Sequence, residues 1–219
     1  MAKGILCGIV TIPIGVLAGG IVAGFEISMV LRNLIPIVLI GAAIAFGLWK
    51  SEERMIRLFA AFGKGVVAVI TAGLAAAIVE ALTGFALIPG MAPIAEGFQM
   101  VGAIAIVLAG AFPLVAVLTK LLKKPLLRLG RLLGVNDVAA AGLVASLANS
   151  IATFGLVKDM DNRGKVVNIA FAVSAAFVFG DHLGFTAGFA PEMLPAMIIG
   201  KLAGGVSAVA VALWLTRER

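Results

Sequence analysis

The chain has 219 residues, of which 62% are hydrophobic and only 13% charged, and its mean hydropathy is +1.17. A water-soluble domain carries about 25% charged residues, so this composition excludes an ordinary soluble protein. The net charge of +6 does not indicate a nucleic-acid partner, because the Lys and Arg residues form short runs between apolar blocks without interleaved aromatic residues. We expect these basic runs to set the orientation of the chain in a membrane.

Apolar blocks follow one another along the whole chain, and each is about 16–23 residues long, enough for a helix to cross the hydrocarbon core of a bilayer. Glycine, proline and short charged runs separate the blocks. The pattern predicts an all-α, polytopic membrane protein with a single transmembrane domain over residues 1–219. In chain order, the blocks are 5–24, 34–49, 62–82, 99–118, 138–157, 166–185 and 193–215.

The charges of the connections give an orientation. The connections around 50–57, 120–131 and 158–165 are rich in Lys and Arg, whereas 83–98 and 186–192 contain neither; the basic ones are expected to face the cytoplasm. Block 138–157 then has a basic connection on both sides and cannot cross the membrane.

We therefore predict a re-entrant helical hairpin in this block and about six transmembrane helices elsewhere. Asn149, Ser150 and Thr153 lie in mid-block, where polar side chains can satisfy backbone groups freed at a helix break. The prediction has two half-helices meeting near Asn149. The alternative is seven full spans with one basic connection outside.

Ionisable residues at membrane depth mark functional positions because they are costly there. Asp181 and His182 are predicted about one helical turn from the outer end of block 166–185, and Lys201 about two turns inside the last block. Two interpretations stay open. Either Asp181 and Lys201 form an ion pair that joins the last two spans, or Asp181 binds a small cation while His182 tunes it or relays protons.

The chain lacks the residue sets of common enzymes. It has one cysteine and one histidine, and no nucleotide-binding glycine loop, zinc-ligand cluster or Ser/His/Asp arrangement. We predict no enzymatic activity, no cofactor and no metal. A basic amphipathic stretch at 121–133 is expected to lie on the inner leaflet, in contact with membrane lipid.

Several short motifs, most of them in the last third of the chain, occur in the order found in a known family. The chain resembles the EutH family, the ethanolamine permeases of bacterial ethanolamine-utilisation systems. The motifs are GIVTIPIG at 8–15, LANS at 147–150, DMDNRGK at 159–165, AVSAA at 172–176, GDHLGF at 180–185 and IGKLAGG at 199–205.

The resemblance implies a multi-pass protein of the bacterial plasma membrane that takes up ethanolamine, by facilitated diffusion or coupled to an ion. It also implies that the chain corresponds to the C-terminal half of a longer protein, so that a separate N-terminal half or a second copy is an expected partner. Expected substrate-binding residues are Asp181, His182, Asn149, Ser150 and Thr153. A different class of function, a non-transporting membrane subunit or scaffold of a larger complex, is the alternative.

Overall fold

The structure is a computed structural model that describes residues 2–121 and 123–217. In these ranges the chain forms ten α-helices and two short 3-10 helices, the latter at Val157–Asp159 and Pro191–Met193. The α-helices are α1 (Ala2–Val22), α2 (Ile27–Lys50), α3 (Glu52–Thr83), α4 (Ile94–Leu121), α5 (Lys123–Leu133), α6 (Asp137–Ala148), α7 (Ser150–Leu156), α8 (Asn162–Ala175), α9 (Asp181–Phe189) and α10 (Leu194–Leu215).

Five helices are long and apolar enough to cross a membrane: α1, α2, α3, the Ile94–Pro113 part of α4, and α10 with the 3-10 helix before it. Their apolar side chains largely face outward. In α3, for example, Ala76 is the one buried residue, as expected for a helix whose surroundings are lipid. The predicted all-α, polytopic membrane protein is confirmed.

The predicted sixth span, block 166–185, is not one helix. It consists of α8, an irregular segment at 176–180 and α9. A continuous helix was the wrong expectation here because the N–H groups of Phe177 and Phe179 bond to the end of another helix instead of continuing the ladder of α8. The block is therefore a discontinuous span made of two half-helices.

The predicted fold-back of block 138–157 is confirmed. α6 ends at Ala148 and α7 begins at Ser150, and the Thr153 hydroxyl donates to the Gly142 carbonyl at 3.0 Å. Eleven residues of straight helix would separate these groups by about 16 Å. At the open end, the backbone N–H of Asn136 donates to Asp161 Oδ1 at 2.9 Å. The chain thus enters and leaves the hairpin at the same place.

Glycines bring α1, α8 and α10 into close contact. A methyl group built on Gly15 would lie 2.6 Å from the Gly200 carbonyl oxygen, and one built on Gly4 would lie 2.7 Å from the Val166 carbonyl oxygen. No side chain fits at either place. Spacing small residues four apart permits this approach between membrane helices, so these three helices form a block whose backbones touch.

Helix α5 covers most of the predicted surface stretch 121–133, in which Leu122 lies outside the described residues. Lys124 and Arg128 are exposed, and so is Leu132, at 84%. Gly130 is buried against Ala140 of α6. This arrangement suits a helix that lies at a membrane surface beside the open end of the hairpin.

Candidate functional site

Two helix breaks meet inside the bundle. The last carbonyl groups of α6 have no partner in their own helix, and the segment at 176–180 supplies donors for them. The N–H of Phe177 donates to the Ser146 carbonyl at 2.9 Å, and the N–H of Phe179 donates to the Leu147 carbonyl at 2.8 Å. We call this meeting of the α6–α7 and α8–α9 breaks the crossing.

Gly180 makes the crossing possible. A methyl group at this position would overlap the carbonyl group of Ala148, so another residue type would push the two segments apart. Gly180 also precedes α9 and leaves its first turn without a side-chain cap. The sequence signal for this break was therefore a single glycine.

Phe177 adopts a left-handed backbone conformation, with φ of 62°. This conformation is strained for a bulky residue and costs on the order of 1–3 kcal/mol. The two hydrogen bonds of the crossing hold it in place. As a result, the Phe177 ring packs against the imidazole of His182, with the ring centroids 5.6 Å apart.

Three of the five predicted site residues lie in the hairpin, where they serve its geometry. The Asn149 side chain accepts the N–H of Ile151 at 2.7 Å and so caps α7. The Thr153 hydroxyl is fully buried between the Gly142 carbonyl and the Ser146 hydroxyl, the latter at 2.8 Å. Ser150 is buried at the first position of α7.

Asp181 and His182 form the first turn of α9, and both side chains are exposed. The structure places them deeper than expected, because α9 continues to Phe189 instead of ending one turn later. Eight residues of helix correspond to about 12 Å. Asp181 therefore lies at the crossing, with the positive end of the α9 dipole beside its carboxylate.

The ion pair between Asp181 and Lys201 is not formed. Across residues 2–121 and 123–217, no carboxylate lies within ion-pair distance of the Lys201 ammonium. The His182 imidazole is within electrostatic range of both charges. Of the two interpretations left open by the sequence, the joining ion pair is not the one seen in the structure.

The main cavity lies between α1, α2, α8, α9 and α10 and has a volume of about 780 Å³. Its walls are mostly apolar, and four polar side chains face it: Asn33, Ser174, Thr186 and Lys201. The Ser174 hydroxyl is buried and has no hydrogen-bond partner. Pockets with apolar walls and few polar groups are typical binding sites for small molecules.

None of the five predicted site residues lines this cavity. Asp181 and His182 precede the lining residues Phe185 and Thr186 by four residues, and each therefore shares a face of α9 with one of them. The sequence drew attention to Lys201 but not to Asn33, Ser174 or Thr186. Single amide and hydroxyl residues in apolar blocks give no signal by themselves, since many of them bond to their own helix.

Among the described residues, no group of three or more His, Cys, Asp or Glu side chains could hold a metal ion. The described site therefore consists of the crossing, with Asp181 and His182, and the cavity with its four polar side chains.

The profile of a family described as "Ethanolamine utilisation protein, EutH" matches residues 1–215. The chain is 60% identical over 218 residues to "Probable ethanolamine permease EutH" of Listeria monocytogenes, which covers 100% of this chain and 58% of that protein. It is 57% identical over 215 residues to "Uncharacterized protein YxeR" of Bacillus subtilis, covering 98% of this chain and 58% of the relative.

The chain is also 48% identical over 238 residues to "Probable ethanolamine permease EutH" of Salmonella typhimurium, and the match covers 98% of this chain and 58% of that protein. The chain thus spans somewhat more than half the length of the curated relatives that it matches. No solved structure matches it. With a profile match over nearly its whole length and this level of identity, the chain belongs to the EutH family of ethanolamine utilisation proteins.

Proposed function

We propose that this protein is part of, or by itself forms, a transporter that takes up protonated ethanolamine across the bacterial plasma membrane. The names of its relatives suggest the substrate, and the cavity beside the crossing supports transport. The cavity opens between membrane helices and is lined by both halves of the broken α8–α9 span. Transporters bind their substrates in such places, because helix breaks near the middle of the membrane offer polar backbone and side-chain groups.

The substrate has two groups to be bound, an ammonium and a hydroxyl. In this proposal Asp181 attracts the ammonium, since it is an acidic residue at membrane depth and has no basic partner within ion-pair distance among the described residues. Ser174 and Thr186 on the cavity wall offer hydroxyl partners once the substrate has moved from Asp181 into the cavity. His182 lies on the same face of α9 as Thr186.

The predicted site residues of the hairpin have a different part in the proposal. Asn149, Ser150 and Thr153 keep the α6–α7 break in shape, and thereby hold the α6 carbonyls against the segment that precedes Asp181. We propose that they position the substrate path. Direct contact of their side chains with ethanolamine is not needed for this role.

Uptake of radiolabelled ethanolamine tests the proposal. At acidic pH and low concentration the amine is protonated and does not cross the bilayer by itself, so uptake should depend on the protein. The assay compares cells that express the chain alone with cells that also express the region by which its relatives are longer. Uptake in either case supports the proposal, and absence of protein-dependent uptake in both refutes it.

Asp181→Asn tests the proposed ammonium ligand. We expect uptake to fall at least tenfold while the yield of folded protein is retained. Glu192→Gln is the matched control, because Glu192 is an exposed acid in the 3-10 helix before α10 and does not line the cavity. Normal uptake by the Asp181 variant would show that the ammonium is bound elsewhere.

A further inference from the structure

Lys201 is a cationic side chain on the wall of a cavity for which we propose a cationic substrate. It lies seven residues into α10, about 10 Å from the beginning of that helix. The backbone around it is fixed, because a methyl group on neighbouring Gly200 would lie 2.8 Å from the Gly15 carbonyl oxygen. Lys201 therefore cannot leave the cavity by a shift of its helix without separating α10 from α1.

Nothing in the described part of the chain neutralises Lys201 directly. Its ammonium has no carboxylate within ion-pair distance, and the other polar side chains on the cavity wall, Asn33, Ser174 and Thr186, are neutral. An unpaired charge at membrane depth is unfavourable. A second positive charge in the same cavity increases this unfavourable energy, because the two charges repel each other.

The remaining charged and titratable groups around the cavity are few. On α9, Asp181 and His182 lie at the crossing, and His182 is within electrostatic range of Lys201. The others lie toward the ends of the elements packed around the cavity or face away from it: Lys3 and Cys7 on α1, Glu26, Arg32 and Lys50 on or beside α2, Asp161, Arg163 and Lys165 on or beside α8, and Glu192 and Arg217 on either side of α10.

We propose that Lys201 is the proton-exchange site of this transporter. In the empty protein the Lys201 ammonium occupies the cavity, and when a protonated amino alcohol enters, Lys201 transfers its proton to cavity water and from there to the solution on that side. After the substrate leaves on the other side, Lys201 takes up a proton there. One cation moves inward for each proton that moves outward, so the exchange is electroneutral and needs no inorganic cation.

This inference rests on the proposed function and makes a prediction that the proposed function alone does not make. Substrate binding should release about one proton per molecule bound, and between pH 8 and pH 6, where ethanolamine is protonated throughout, binding should weaken as the pH falls. The sign follows from competition, because a higher proton concentration favours the Lys201 ammonium and thereby opposes the substrate.

Proton release can be measured on the purified full chain in lipid nanodiscs, in weakly buffered solution with a pH indicator, while ethanolamine hydrochloride of matched pH is added. The wild type should release protons as it binds. Lys201→Gln should bind without release and with an affinity independent of pH. Lys201→Arg keeps a charge that does not dissociate, so it should bind on the order of a hundredfold more weakly than the Gln variant.

Lys64→Gln is the matched control, because Lys64 lies within α3, is exposed and does not line the cavity; its proton release should equal that of the wild type. Lys201→Met serves as a second neutral variant if the Gln variant does not elute as a single folded species. Wild-type binding without proton release, or equal binding by the Arg and Gln variants, overturns the inference and leaves the proposed function standing. Absence of binding in the wild type and in every variant, also when the region by which the relatives are longer is present, overturns both.

Discussion

Replacing Gly180 by alanine should destabilise the protein by opening the crossing. The added methyl group overlaps the Ala148 carbonyl, which belongs to backbone and cannot rotate away as a side chain can. Relief requires the segment at 176–180 to move off the end of α6. That movement breaks the two hydrogen bonds of 2.9 and 2.8 Å that Phe177 and Phe179 donate to α6.

The expected magnitude follows from those two bonds. A buried backbone group left without a partner costs about 1–3 kcal/mol, so losing both bonds costs about 2–6 kcal/mol. Partial relaxation and relief of the strain at Phe177 recover some of this, and we expect a net loss of about 3 kcal/mol. For a chain of this size, 1 kcal/mol corresponds to about 2–4 °C, which gives a decrease of about 6–12 °C in the apparent Tm.

The assay is the fraction of folded protein that remains after heating in mild detergent, measured by size-exclusion chromatography. Gly155→Ala is the matched control, since Gly155 lies in α7, across the hairpin break, and a methyl group there meets no atom within 4 Å. In a helix this control should be neutral or slightly stabilising. If the Gly180 variant unfolds within about 2 °C of the wild type, the crossing does not hold the two breaks together as argued.

Two further predictions concern the hairpin. Thr153→Val removes the hydroxyl that joins the two half-helices of the hairpin. It should lower the free energy of unfolding by about 1–3 kcal/mol and make amide exchange in α7 faster. The control Thr71→Val removes an exposed hydroxyl bonded within its own helix and should change neither the stability nor the exchange in α7. In a Cys7→Ser background, Lys158→Cys should react with a membrane-impermeant reagent only from inside and Ala86→Cys only from outside. Labelling of the Lys158 variant from outside would rule out the re-entrant orientation.

The hairpin was predictable from sequence because two independent signals agreed there. Basic connections on both sides excluded a crossing, and the polar cluster from Asn149 to Thr153 indicated where the helix breaks. The same cluster was predicted to bind substrate, but in the structure the Asn149 and Thr153 side chains bond to the backbone of the hairpin. A polar side chain at membrane depth can be there to satisfy backbone groups, as Asn149 and Thr153 do.

The second break was not predictable in the same way. Residues 176–180 contain no proline and no polar residue, so the only local signal of a break is Gly180, five residues after the end of α8. The segment leaves the helix because the carbonyls of Ser146 and Leu147, about 30 residues earlier in the chain, need its N–H groups. A tertiary requirement of this kind appears only when two distant segments are placed side by side.

The cavity could not be predicted from the sequence for a related reason. Its polar residues come from α2, α8, α9 and α10. Ser174, Thr186 and Lys201 each stand alone in an apolar stretch, and Asn33 follows Arg32. Of these, Lys201 stood out because a charge is rare at that depth. Its expected partner, Asp181, followed from comparable depth on neighbouring helices, but depth alone does not bring two side chains into contact.

The glycine contacts between α1 and α10 also decide which parts of the cavity can adapt to a ligand. Because backbone touches backbone at Gly15 and Gly200, these two walls can neither approach further nor separate without losing their packing. The cavity is otherwise lined by side chains, among them Met29 on α2, Phe189 on α9 and Met197 on α10. In the proposed transporter, selectivity for ligand size therefore resides in these side chains, and changes in accepted substrate should arise there while the glycine contacts stay the same.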